Sequence, residues 1–319
     1  MPELPEVETM RRGLLPLVGR QVAHVERPPC KRRPIAIRPR MDVFRRRVEG
    51  KNIVAIDRAG KRVVIWLSKK SESRPAKAGE FDLPGEEAIV IEPRMTGLVL
   101  LGNPPTLEHL RFRLQLIEPD GKHLGANGKP PRQAKGRKTA SATANELLFW
   151  DRRGLGLVSL LAAEEFAAKF QGPDATLGPD ALQLTPDQLR ERLGNSSRPI
   201  KVALLDQHAI AGIGNLYASE ILHVAGIHPS ARCRRLHGQH WDRLHAAINL
   251  VLLEAIQYEG STLSDGTYRN ALNESGGYQH HHRVYDRAGQ PCLTCRRGAV
   301  RRIVQAQRST FFCSHCQGR

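Results

Sequence analysis

The sequence predicts a multi-domain α+β protein: an N-terminal helix, a β-sandwich or barrel, a helical region and a small four-cysteine metal finger. Three observations carry this reading. Short apolar runs separated by turn residues fill much of the first half, as in all-β layers. From about residue 160 the apolar spacing becomes helical. The carboxyl end holds Cys292-x-x-Cys295 and Cys313-x-x-Cys316. At 319 residues the chain is long enough for two domains with their own cores, plus the finger.

In chain order, Leu4, Val7, Met10 and Leu14 recur at helical spacing, with Pro5 near the start and acids in the first turn. Gly19 ends that pattern. A basic, proline-broken stretch covers Arg27 to Arg40. Strands are expected at Val22–Val25, Ile53–Ile56, Val63–Leu67, Ala88–Ile91, Leu98–Leu101, Leu110–Leu116 and Leu147–Trp150. Polar segments at 68–87 and 122–145 interrupt them and read as mobile surface insertions. The second carries Lys129, Arg132, Lys135, Arg137 and Lys138, suited to a phosphate backbone or to solvent. Thr185-Pro186-Asp187-Gln188 is a capping-box helix start. Helices are also expected at Pro199–Asp206, Leu216–Val224 and Gln239–Tyr258. Gly212-Ile213-Gly214-Asn215 is a tight turn between two of them. It either brings backbone close to a phosphate or serves as a structural interhelical turn.

The two cysteine pairs, separated by 17 residues, have the spacing of a closed tetrahedral Zn²⁺ site, one structural ion per chain. Five arginines lie between the pairs, which suits contact with a duplex backbone. The formal charge of +17, from 49 Lys and Arg against 32 Asp and Glu, points to a polyanionic partner. Six cysteines so placed do not form a disulfide scaffold, and no run is apolar enough to span a bilayer. The expectation is a soluble cytoplasmic monomer without a membrane partner.

The amino terminus carries chemistry of its own. Removal of Met1 would expose the secondary amine of Pro2, a nucleophile towards an aldehyde-like carbon. Glu3 stands beside it as a candidate acid. The same residues also make an ordinary amphipathic helix start.

Taken together, Met1–Thr9 (MPELPEVET), Gly212–Glu220 (GIGNLYASE), Ala225–Pro229 and the four-cysteine finger resemble the formamidopyrimidine-DNA glycosylase family over nearly the whole chain. The resemblance implies an N-terminal helix with a β-sandwich, a helix–two-turn–helix domain and a zinc finger. On that reading the domains run 1–165, 181–285 and 286–319, with a linker at 166–180. It implies an enzyme of base-excision repair, a DNA glycosylase with AP lyase activity, acting on damaged double-stranded DNA and removing 8-oxoguanine and formamidopyrimidines. Pro2 then matches the family nucleophile and Glu3 the acid, with Glu6 a supporting acid or a plain helix-start carboxylate. Lys61 matches a lysine near the lesion phosphate, and Lys201 a lysine beside the site. Asn215 and Arg308 match groups that grip the kinked backbone. Met95, Arg153 and Leu155 match the three side chains that fill the gap left by a flipped base. Cys292, Cys295, Cys313 and Cys316 match the zinc ligands.

The chain departs from the family where Leu155 replaces the usual aromatic wedge and Glu92 replaces a histidine. His280, His281 and His282 form a cluster expected to lie in a solvated loop. Two rivals are an endonuclease VIII-type enzyme for oxidised pyrimidines and a catalytically silent damaged-DNA binder. The Leu4 form of the opening motif disfavours the first, and the intact Pro2-Glu3 pair the second. A zinc-ribbon RNA binder leaves the amino terminus unexplained.

Overall fold

The structure, a computed structural model, describes residues 1–69, 83–118, 145–172, 174–263 and 266–318. The interiors of the two expected insertions, with the five basic residues of the second, lie outside these. Their flanks are strand: Ser68 ends one and Glu87 opens another.

Helix α1 (Leu4–Leu14) begins the chain and packs into two cores at once. Val7, Met10 and Leu14 join the sheet core, whereas Leu4 belongs to the helical core. Nine strands follow: β1 (Gln21–Glu26), β2 (Ala36–Arg38), β3 (Asn52–Ala59), β4 (Arg62–Ser68), β5 (Glu87–Glu92), β6 (Gly97–Leu100), β7 (Leu110–Ile117), β8 (Glu146–Asp151) and β9 (Leu157–Ala162). They form one hydrogen-bonded sheet in the order β2-β9-β5-β4-β3-β1-β7-β8-β6. Strands β1 and β3 meet at a corner, Gln21 opposite Asn52. The two halves on either side share one core, which makes a sandwich joined along one edge.

Strand β4 shows how local sequence reports this arrangement. Val63, Ile65 and Leu67 face the shared core, while Val64 and Trp66 face outwards. The outward pair is covered by helix α3 (Ala163–Phe170), with Trp66 and Phe166 edge-on at 4.8 Å. A strand buried on both faces needs an unbroken apolar run, and Val63–Leu67 is one. Helix α3 occupies the start of the expected 166–180 linker. Strands β2 and β9 and helix α2 (Met41–Val48) add to the elements the sequence predicts. Strand β2 is three residues long, and β9 lies where the apolar spacing turns helical.

The helical region contains α4 (Pro186–Leu193), α5 (Ile200–Leu204), α6 (Asn215–Val224) and α7 (Gly238–Gln257). Thr185 caps α4 as expected, its Oγ1 accepting from the Gln188 amide. Helix α6 is buried along almost its whole length, and α7 packs against it. Strands β10 (Val300–Gln305) and β11 (Arg308–Cys313) form the finger hairpin. Ala306 and Gln307 both take positive φ at its tip, the conformation a two-residue hairpin turn requires.

Glu220 joins the helical region to the segment entering the finger. It is fully buried, and its carboxylate accepts the amides of Arg283, Val284 and Tyr285 at 2.8–2.9 Å. Burial raises its pKa, opposed by those three amide donors. Glu220→Ala leaves three N–H groups, that of Val284 buried and those of Arg283 and Tyr285 part-buried, without this acceptor. It should cost about 3 kcal/mol or more, read as a lower midpoint in urea denaturation; an unchanged midpoint would remove Glu220 from this role.

Candidate active site

The site forms where the start of α1 meets the start of α6. Glu3 lies immediately before α1, and its side chain reaches the other helix. The Leu216 amide donates to Glu3 Oε1 at 3.0 Å and the Tyr217 amide to Oε2 at 3.4 Å. The free N–H groups and positive end of α6 are thus occupied by a carboxylate of the same chain. This explains the glycines of the turn. A β-carbon on Gly214 would sit 2.2 Å from Glu3 Cδ, and one on Gly212 would sit 2.5 Å from the Leu4 side chain. Gly212 also has φ +106, a conformation open to glycine, and its carbonyl accepts the Leu4 amide at 3.0 Å. Within the chain, the partner this turn seats is the amino terminus.

Glu6 is buried beside Glu3. It accepts from the Glu3 amide (2.9 Å), the Tyr217 hydroxyl (2.6 Å) and the Ser261 amide (2.8 Å). Burial raises its pKa, and the neighbouring Glu3 charge adds to this. These contacts separate it from a simple helix-start carboxylate. The sequence reading missed Ser261 and Tyr268; both lie in a region with no motif of its own. Tyr217 stands inside the GIGNLYASE motif and could have been found there.

Three cations converge on the same place. Lys61 Nζ donates to the Ile213 carbonyl at 2.9 Å. Burial lowers its pKa; Glu3 opposes that and Arg308 adds to it. Lys201 is fully buried and gives its three protons to Asn215 Oδ1 (2.7 Å), Thr310 Oγ1 (2.7 Å) and the Ser309 carbonyl (3.0 Å). Burial brings its pKa down to about 8, with Glu3 opposing. With every proton placed inside the protein, Lys201 ties α5 and α6 to the finger hairpin. Asn215 Nδ2 donates to the same Ser309 carbonyl at 3.0 Å.

Glu3, Glu6, Met95, Asn215, Ser261, Tyr268, Tyr285 and Arg308 line one cavity of about 340 Å³, with Met1 at its edge. Pro2, between Met1 and Glu3 in the chain, is buried and is not itself among the lining residues. Met95 remains 39% exposed on the turn between β5 and β6. Arg153 and Leu155 are not part of the cavity lining. They stand on the adjacent β8–β9 loop, where Arg153 is exposed and Leu155 half-buried.

The loop bearing Met95 and the loop bearing Arg153 and Leu155 are joined by Asp151, a further residue that the sequence does not single out. It is fully buried. Its carboxylate takes the Thr96 hydroxyl (2.5 Å) and the amides of Arg153 (3.2 Å) and Gly156 (2.7 Å). Glu92, which replaces the family histidine, is 2.9 Å from Arg62 and 3.7 Å from Arg94, so its charge is balanced within the protein. The histidine cluster is not a solvated loop. His282 is 7% exposed and bonds Ser261 Oγ at 3.0 Å, and His281 stacks on Tyr258 at 3.8 Å; only His280 is exposed. Aromatic neighbours and a buried serine give these rings partners that the local sequence does not reveal.

The sulfur atoms of Cys292, Cys295, Cys313 and Cys316 all lie within 4.8 Å of one another, and Cys292–Cys316 and Cys295–Cys313 are each 3.7 Å. A tetrahedron with Zn–S bonds of about 2.3 Å has edges of about 3.8 Å. The donor set therefore fits Zn²⁺. Four thiolates leave no open position, so the ion is structural and holds the hairpin that presents Arg308 and Ser309.

Gly214→Ala tests the seat of Glu3. The added carbon displaces the carboxylate by about an ångström, and a shift of that size should cost about 100-fold in base excision while the helical circular-dichroism signal is kept. Wild-type excision by this variant would show that the placement of Glu3 is not needed.

Three family models match the chain: the formamidopyrimidine-DNA glycosylase N-terminal domain over residues 1–158, its H2TH domain over 176–267, and a zinc finger found in FPG and IleRS over 289–318. The formamidopyrimidine-DNA glycosylase of Chloroflexus aurantiacus is 39% identical, covering 99% of this chain and 98% of that protein. Among solved structures, the MutM (Fpg) protein of Thermus thermophilus has a TM-score of 0.74 and 33% identity, covering 99% of each chain. A Lactococcus lactis Fpg mutant complexed with a Fapy-dG-containing DNA has a TM-score of 0.75 and 26% identity, covering 100% of each chain. The chain belongs to the formamidopyrimidine-DNA glycosylase family and is a DNA glycosylase of base-excision repair.

Proposed function

We propose that the chain removes oxidised purines, 8-oxoguanine and formamidopyrimidines, from duplex DNA and then cleaves the strand through a Schiff base on Pro2. The observation that carries this is the seating of Glu3 by the α6 amides next to Pro2, at a cavity also lined by Met95, Asn215 and Arg308. Lactococcus lactis relatives have been solved with a Fapy-dG-containing DNA and with an oxidised-pyrimidine-containing DNA, so the purine class rests on the family match.

In this reading Arg153, Leu155 and Met95 enter the duplex and replace the extruded nucleotide in the stack. Arg308, Asn215 and Lys61 hold the backbone near the lesion. With Met1 removed, the Pro2 nitrogen attacks C1′ and the base departs. Glu3 takes the proton that the Pro2 nitrogen loses on attack and passes it to the ring oxygen as the sugar opens, leaving an iminium between Pro2 and C1′. That cation accepts the electrons released when C2′ loses a proton and the 3′ phosphate leaves. A second elimination releases the 5′ phosphate, and water frees Pro2. Glu6, buried and with its pKa raised, holds the Glu3 backbone in line through the Glu3 amide.

Borohydride trapping on an 8-oxoguanine·cytosine duplex, followed by mass mapping, tests this directly. The expected product is one adduct on Pro2 of a chain lacking Met1. Tight binding without an adduct would leave a silent damaged-DNA binder. Trapping on oxidised pyrimidines alone would move the substrate class.

The electrostatics of Lys201 predict a pH effect on binding. Its pKa of about 8 in the free protein rises when a phosphate approaches. Well below pH 8 the ammonium is present in both states and affinity is flat. Above it, binding must take up a proton. Kd for a duplex with an uncleavable abasic analogue should therefore rise up to about eightfold from pH 7.5 to 9. A flat Kd across this range would show that the Lys201 charge does not contribute.

A further inference from the structure

The basic stretch after β1 lies beside the Arg153 loop, and the sheet register shows why. Strands β2 and β9 are parallel, with Ala36 opposite Leu157, Ile37 opposite Val158 and Arg38 opposite Ser159. Extending that register backwards places Arg33 beside Gly154, and Lys31 and Arg32 beside Arg152 and Arg153. Packing agrees: a β-carbon on Gly154 would lie 2.4 Å from the Arg33 carbonyl oxygen, and Gly154 has φ +63. The loops are also fastened through Arg111, which is 2% exposed. Its Nε donates to the Asp151 carbonyl at 2.8 Å, and its Nη1 donates to Cys30 Sγ. Cys30 Sγ in turn donates to the Glu108 carbonyl at 3.0 Å.

Two adjoining segments thereby carry five cations, Lys31, Arg32 and Arg33 on one and Arg152 and Arg153 on the other, all exposed. Arg32 pairs with Glu108 at 2.7 Å. Among the described residues Lys31, Arg33, Arg152 and Arg153 have no ion pair, and the carboxylate of Asp151 is directed at Thr96 and backbone amides. Fixing like charges together costs free energy unless a polyanion crosses them.

We propose that the loop 27–35 is a second grip on DNA, in which Lys31 and Arg33 bind backbone phosphates next to the point where Arg153 and Leu155 enter the duplex. This rests on the reading of the chain as a damaged-duplex enzyme. It makes the grip and the wedge one body, so that the duplex is held at the step being opened. The ligand is phosphodiester, read by charge and not by sequence.

The test measures Kd of the full-length zinc-loaded protein for a duplex carrying an uncleavable abasic analogue, from 50 to 300 mM KCl. A Lys31→Ala/Arg33→Ala variant should bind more weakly at low salt. Its slope of log affinity against log salt should be shallower than that of the parent by about 1.8, roughly 0.9 for each lost phosphate contact. The charge-conserving Lys31→Arg/Arg33→Lys variant should keep the parental slope. A steep parental slope that the alanine variant shares would overturn the second grip. A slope lost equally in the charge-conserving variant would also overturn it, by showing that packing and not charge is at stake. A parent with no salt dependence would instead overturn the duplex-binding reading itself.

Discussion

The structure depends on one interaction across two-thirds of its sequence, the Glu3 carboxylate against the Leu216 and Tyr217 amides in the first turn of α6, the nearer 213 residues away. Chain termini fray unless something holds them, yet this family's proposed nucleophile is a terminal amine. The solution is to bury the terminus from both sides. Leu4 is in the helical core and Val7 in the sheet core, so α1 cannot loosen from one without disturbing the other. A fully buried leucine or valine is worth about 1.5–3 kcal/mol, comparable to the entropy of ordering the few residues ahead of it. Glu3 then adds a charge-assisted contact that sets direction as well as position.

That arrangement also accounts for the charges buried around it. Glu3 and Glu6 are adjacent carboxyl groups in a buried place, a costly pairing when both are charged. The α6 amides, the Tyr217 hydroxyl and the Ser261 amide absorb part of the cost. Lys61, Lys201 and Arg308 offset more of it, and Arg308 in turn lowers the pKa of both lysines. Anions and cations here are each unfavourable alone and are held in balance by the fold.

How much of this is legible in the sequence follows from how local each feature is. Strand β4 and helix α4 announce themselves, one by its apolar run and the other by its capping box. The zinc ligands are readable because thiolate geometry demands close pairs. Pro2 and Glu3 are readable only through their neighbours in the motif. Asp151 is invisible as a clamp, since its three donors come from Thr96, Arg153 and Gly156 and meet only once β6 and β8 are paired. The packing of His281 and His282 depends on Tyr258 and Ser261, some twenty residues earlier in the chain. Strand β2 is three residues long and exists because β9 offers it a parallel edge. No window of sequence contains both.

The finger is coupled to the pocket by a short path. Cys313 ends β11, and the Ser309 carbonyl on that strand receives both Lys201 Nζ and Asn215 Nδ2. Thr310, one residue on, takes a further proton of the same lysine. The metal that orders the hairpin therefore orders the acceptors that hold Lys201 and Asn215, and Arg308 stands at the mouth of the cavity on the same strand. A closed four-thiolate site does no chemistry itself. Its contribution is to fix the far wall of a cavity whose near wall is the amino terminus. The first helix and the last hairpin of the chain thus meet across one cavity, and the helical region holds both.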